Sequence, residues 1–131
     1  MLDCKAMNTL MVPNLKMLND DSSDTVDVIL YRHIIGSLMY LTNTRPDICF
    51  DVNKLSQYML ESQHVHLVAT KHVMRYLKGT LDCDLIYVAD GEIILHGYTY
   101  SDWVGRTNDR KSTSRCCFSL GSGLISWINK K

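Results

Sequence analysis

The hydrophobic pattern changes period once along this chain, close to Thr80, and that single change constrains the fold more than any other feature. From residue 26 to residue 79 apolar residues return at three- and four-residue intervals; beyond residue 80 they alternate in short runs broken by glycine. A helical period cannot be satisfied in a strand, nor a two-residue period in a helix. The chain is therefore expected to be α+β, with an α-helical half followed by an antiparallel β half.

The helical half divides into three. A first helix is predicted from about Val26 to Leu41, capped by Asp24 or Thr25, with Tyr31, Ile34, Ile35 and Leu38 on one stripe. Gly36-Ser37 would allow a neighbour to approach closely. Asn43-Thr44-Arg45-Pro46 ends the helix, and Pro46 suits the first turn of a second one carrying Ile48, Val52, Leu55 and Met59. Ser62 can open a third helix from about Gln63 to Leu77, stopped at Gly79, with Val65, Ala69, Val73 and Tyr76 as its buried stripe. In the β half, Leu85 to Val88 and Ile93 to Tyr100 read as strands joined around Ala89-Asp90-Gly91. Arg115 to Leu120 and Leu124 to Asn129 read as a second pair turning at Gly121-Ser122-Gly123. The expected organisation is an irregular acidic segment (1–26), a helical region (27–79) and a β region (80–131).

Charge balances overall, with 14 basic and 14 acidic residues, but it is unevenly placed. Residues 1–28 hold two lysines against five aspartates, whereas residues 29–79 hold six basic and three acidic residues and four of the five histidines. A basic middle segment is compatible with a polyanionic partner and equally with an ordinary solvated surface. Five cysteines without regular spacing do not form a disulfide framework, and reduced, intracellular thiols are expected. Adjacent Cys116 and Cys117 would face opposite sides of a strand. No apolar run reaches membrane-spanning length, and the N-terminus makes a poor signal peptide.

On the third helix Lys71, Arg75 and Lys78 fall at i, i+4 and i+7 and share a face. Three cations in a row can meet successive phosphates, which would give weak, sequence-independent binding; the alternative is a solvated face. The three positions lie off the predicted stripe, so changing all of them to Glu is expected to leave the fold intact. His64, His66 and His72 are expected on the surface, because i and i+2 diverge on a helix and no zinc-ligand spacing accompanies them. No metal or cofactor is expected. Gly121-Ser122-Gly123 lacks the flanking elements of a nucleophile elbow and reads as a hairpin turn.

Three runs carry a resemblance. They are Leu41-Thr42-Asn43-Thr44-Arg45-Pro46-Asp47-Ile48, Val73-Met74-Arg75-Tyr76-Leu77-Lys78-Gly79-Thr80, and Gly97-Tyr98-Thr99-Tyr100-Ser101-Asp102-Trp103 followed by Asp109-Arg110-Lys111-Ser112-Thr113-Ser114. In that order and spacing the chain resembles the Pol polyprotein of copia-type LTR retrotransposons, from the end of reverse transcriptase into the start of RNase H. The resemblance implies a thumb- or connection-like helical half and an incomplete RNase H-like sheet, with the polymerase site absent and RNase H cut short. Met1 stands where the family has an internal methionine. The family also carries, at the position of Tyr100, an aspartate that holds catalytic Mg²⁺. Two-metal hydrolysis needs carboxylates converging on ions about 4 Å apart, and a neutral phenol does not supply one. Asp102, two residues on, is displaced by about 6.5 to 7 Å along a strand. The expectation is a non-catalytic remnant making at most weak RNA or DNA backbone contact. Arg110 and Lys111 are either a solvated turn or a further phosphate contact.

Closely similar copia-derived sequences also carry the label of secreted RxLR-type effectors of oomycete plant pathogens. That resemblance implies delivery into a host cell and a host protein partner. Arg75-Tyr76-Leu77-Lys78 only approximates the R-x-L-R motif and falls within the predicted third helix.

Overall fold

The computed structural model describes residues 3–11, 26–88, 92–102 and 113–130. The chain forms two compact units, Met1–Cys83 and Asp84–Lys131, the first helical and the second built on a sheet. The fold is α+β, as the change of period requires.

In the first unit α1 spans Val28–Leu41. Its cap is Asp27, whose carboxylate accepts hydrogen bonds from the amides of Ile29 and Leu30 at 2.9 and 3.2 Å. The cap thus falls later than expected, and Asp24 and Thr25 lie outside the described residues. Tyr31, Ile35 and Leu38 are buried and Ile34 half-buried, so the predicted stripe is the packed one. Gly36 plays no part in packing: a Cβ there would meet nothing within 4 Å, because it lies about 100° round the helix from Ile35. Arg45 is extended (φ −124°, ψ 82°), as a residue before proline prefers, and Pro46 opens a 3₁₀ turn, Pro46–Ile48, that leads into α2, Cys49–Ser56. Ile48, Val52 and Leu55 are wholly buried against α1. The Tyr31 hydroxyl donates to the Leu55 carbonyl at 3.0 Å, tying the two helices through a polar bond inside the core.

Helix α3 spans His64–Gly79 and is capped by Gln63 rather than Ser62. The cap is reciprocal: the Gln63 side chain accepts from the His66 amide, while His66 Nδ1 accepts from the Gln63 amide at 3.0 Å. Ser62 is itself buried, with 2 % of its surface exposed. Ala69 and Val73 are buried as expected, Val65 and Tyr76 only in part. The rest of the inward face is polar: His66, Thr70 and His72 are buried too. Of the three histidines of α3 expected at the surface, only His64 is exposed.

The second unit holds a three-stranded antiparallel meander in the order β1 (Leu95–Asp102), β2 (Thr113–Leu120), β3 (Gly123–Lys130). The β2–β3 hairpin turns on two residues, Gly121 and Ser122, with Gly121 at φ +55°, a conformation glycine adopts without strain. An irregularity between Phe118 and Ser119 shifts the register by one residue. The predicted strand Leu85–Val88 does not join the sheet. Its bonds go to side chains and to the turn instead: the Val88 amide donates to Ser122 Oγ at 3.0 Å and the Tyr87 hydroxyl to the Leu124 carbonyl at 2.6 Å. Ala89-Asp90-Gly91, expected to turn, lies outside the described residues. Gly123 is buried beneath the Tyr87 ring, which a Cβ at that position would overlap.

Candidate nucleic-acid interface

The basic face of α3 exists, but it is not bare. Lys71 is exposed, Arg75 half-buried and Lys78 exposed. Residues 3–11 run along this face and are held to it by hydrogen bonds. Lys78 Nζ donates to the Cys4 carbonyl at 2.9 Å and Arg75 Nε to the Lys5 carbonyl at 2.7 Å. The Met7 amide donates to the Arg75 carbonyl at 3.2 Å. His72 Nε2 lies 2.9 Å from the Thr9 carbonyl. The close approach ends at Gly79, where a Cβ would stand 3.1 Å from the Met7 carbonyl oxygen. Two of the three cations therefore serve the fold, and replacing all three by Glu would also loosen residues 3–11. Lys71 is exposed, and of the five donors a guanidinium offers Arg75 gives one, its Nε, to Lys5. Arg110 and Lys111 lie outside the described residues.

His64, His66 and His72 do not converge. His66 stacks on Tyr58 with ring centroids 3.9 Å apart and is committed to the α3 cap, while His72 holds Thr9. Among the described residues no three His, Cys, Asp or Glu side chains gather where they could hold a metal ion. All five cysteines are free thiols, and burial pushes the Cys49 thiol above its ordinary pKa. Cys116 pairs across to Thr99 and Ile128, Cys117 to Tyr98 and Trp127, placing the two on opposite faces of the sheet. No described helix is long and apolar enough to cross a membrane.

At the end of β1, Tyr100 is 60 % exposed and pairs with Arg115 of β2, whose guanidinium carbon sits 5.7 Å from the centre of the phenol ring. A cation placed over an aromatic face is attracted by the ring quadrupole. Tyr100 thus stands beside a guanidinium and offers no carboxylate of its own.

One cluster escaped sequence reasoning altogether. Arg45 grips Asp47 with two nitrogens, at 3.0 and 2.7 Å, and reaches across to Thr80, bonding its carbonyl at 3.0 Å and its hydroxyl at 2.7 Å. The Tyr76 hydroxyl donates to Asp47 at 2.9 Å, and the Thr80 hydroxyl to the Tyr76 carbonyl at 3.0 Å. The Arg45 hydrogen bonds hold the Asp47 carboxyl below its ordinary range, while burial and the bond to Asp47 raise Tyr76. Arg45 and Asp47 come from the first of the three marker runs, Tyr76 and Thr80 from the second. Their spacing along the chain therefore has a structural cause: the two runs meet as a clamp joining the α1–α2 link to the end of α3.

The chain is 39% identical over its whole length to the retrovirus-related Pol polyprotein from transposon RE1 of Arabidopsis thaliana, and 40% identical to that from transposon RE2 of the same plant; in each case it spans 9% of the larger protein. It is also 39% identical, over 77% of its own length and 72% of the relative's, to secreted RxLR effector protein 161 of Plasmopara viticola. No family model matches, and no solved structure matches. With the marker runs in place and the identity extending from end to end, the chain belongs to the copia-type retrotransposon Pol family.

Proposed function

We propose that the chain is a non-catalytic derivative of the reverse transcriptase–RNase H region, retaining weak, sequence-independent contact with nucleic-acid backbones through Lys71, Arg75 and Lys78. The observation that carries the first half is Tyr100 beneath Arg115. A position that would hold Mg²⁺ in the related sequences has a neutral ring and a neighbouring guanidinium, which repels a divalent cation. Asp102 does not replace the lost ligand, because two residues of strand displace it by roughly 6.5 to 7 Å. Support for the second half is the placement of the three cations along α3. Lys71 projects into solvent, and the seven residues from Lys71 to Lys78 span about 10 Å of helix.

The test is a salt titration of binding to duplex DNA or RNA–DNA hybrid. If each of the three cations meets one phosphate, log affinity falls with log salt at a slope of roughly −3. Lys71→Glu, which leaves residues 3–11 bound, should reduce that slope by about one. Absence of binding even at low salt overturns the helix-face reading.

A second reading is favoured by one observation, the likeness to a protein named as a secreted RxLR effector. On that reading the chain acts inside a host plant cell through a protein partner. Arg75-Tyr76-Leu77-Lys78 lies within α3, with both charged ends bonded to residues 3–11, so the run is not displayed as a free leader. A host response to the protein in plant cells, unchanged by Lys71→Glu and without nucleic-acid affinity, would favour this reading over the first.

A further inference from the structure

The register of the sheet separates its side chains sharply by face. Cross-strand neighbours on one side form three rows: His96, Ser119 and Leu124; Tyr98, Cys117 and Trp127; Tyr100, Arg115 and Asn129. The opposite side carries Leu95, Thr99, Cys116 and Ile128, with one ring, Phe118, lying over Gly97. The other aromatic rings of the strands and the guanidinium are thus collected on one face. They are also accessible. Tyr98 and Tyr100 are each 60 % exposed, His96 is exposed, and Trp127 and Arg115 are half-buried. The His96 and Tyr98 rings lie 25° from parallel with centroids 6.4 Å apart, so successive rings along β1 form a file rather than a collapsed cluster.

We infer that this face is a stacking platform for single-stranded nucleic acid, with Tyr98 and Tyr100 as the principal base contacts and Arg115 beside them. Three features select that occupant. Residues two apart on a strand repeat at about 6.6 to 6.8 Å, twice the rise of about 3.4 Å between stacked bases in a duplex strand. The rings can therefore receive bases of an extended strand but not neighbouring bases of an intact duplex. Charge is the second: the strands carry Arg115 in the Tyr100 row and Lys130 in register with Ser114, and apart from Asp102 at the end of β1 they hold no carboxylate. The third is chemistry. Exposed aromatic rings on an antiparallel sheet, next to arginine, are a general means of binding unpaired bases without sequence preference. Tyr100 then has a dual consequence, since the ring that displaces a metal-binding carboxylate adds a stacking surface. The inference does not rest on the basic face of α3, which lies in the other unit.

The test is titration of the full chain with a short oligothymidylate and with a duplex of equal length, following tryptophan fluorescence. The single strand should bind at least tenfold more tightly than the duplex at about physiological salt. Tyr98→Ala and Tyr100→Ala should each weaken it roughly tenfold. Tyr100→Phe, which keeps the ring, should bind like the unaltered chain, and Tyr100→Asp should be as weak as Tyr100→Ala. Lys71→Glu should leave the single-strand preference in place, so loss of the helix-face reading would not be mistaken for loss of this one. Equal affinity for duplex, indifference to both alanine changes, or self-association through Tyr98 and Tyr100 without nucleic-acid binding would overturn the inference.

Discussion

Removing the Arg45 side chain should be among the most damaging single changes in the helical unit, although Arg45 belongs to no apolar stripe. Its side chain is 13% exposed and that of Asp47 33% exposed, so Arg45 is shielded from water and Asp47 only in part. The local bond to Asp47 spans two residues and is partly solvated, which limits its worth to below about 1 kcal/mol. The bonds to Thr80 differ. They close a 35-residue separation, they are part-buried, and the donor is charged. A hydrogen bond to a charged group contributes roughly 1.5–3 kcal/mol, and removing the donor also strands its acceptors. Arg45→Ala should therefore cost about 2–3 kcal/mol, with a fall in melting temperature on the order of 10 °C or more for a unit of this size. Arg45→Lys keeps the charge but loses the planar fork, and should recover less than half of the loss. Thermal melts by far-ultraviolet circular dichroism measure both, and a double-mutant cycle of Arg45→Ala with Thr80→Val should give a coupling of about 1 kcal/mol. The acid side gives an independent check. Because Asp47 is held below its ordinary value of about 3.9, its contribution is complete above that pH and is lost as pH falls through the depressed value. Arg45→Ala should flatten that acid loss. A cost below about 0.5 kcal/mol, or a coupling near zero, would refute the clamp.

Two other predictions concern single side chains. Burial pushes the Tyr31 phenol up to about 12, so its neutral form stabilises the fold below about pH 10 and that stabilisation is lost as pH rises from there towards 12; Tyr31→Phe should remove this part of the alkaline loss and cost about 1 kcal/mol at neutral pH, measured by urea unfolding. Gly123→Ala forces a methyl group into the Tyr87 ring and should cost roughly 1–3 kcal/mol, with faster amide exchange at the β2–β3 hairpin; combining it with Tyr87→Ala should relieve most of the strain, and failure to do so would place the strain elsewhere.

Periodicity was enough to locate Tyr31, Ile35, Leu38, Ile48, Val52 and Leu55, because each stripe answers to a geometry set by the helix alone. Glycine did the same for the β2–β3 turn. What periodicity could not resolve depended on distant partners. Three oxygen-bearing residues, Asp24, Thr25 and Asp27, compete to cap α1, and nothing local separates them. His66 and His72 read as surface residues by polarity, yet the Tyr58 ring, the Gln63 amide and the Thr9 carbonyl supply what each needs when buried. Arg75 and Lys78 bond carbonyls 70 and 74 residues away, and a backbone acceptor leaves no mark on side-chain identity. The clamp residues were visible only as markers of ancestry. Strand 85–88 failed for a related reason: apolar composition suits a strand, but pairing depends on a distant partner, and here Tyr87 and Val88 bond Leu124 and Ser122 without entering the ladder.

The most direct test of the account is an RNase H assay on the unaltered chain, with an RNA–DNA hybrid and Mg²⁺ or Mn²⁺. On the proposed reading Tyr100 stands in place of a metal-binding carboxylate, beside a guanidinium, so no cleavage above the protein-free control is expected. Tyr100→Asp should be equally inactive, because one carboxylate does not hold two metal ions. Cleavage by the unaltered chain that requires the metal, scales with protein and disappears on chelation would contradict the central claim.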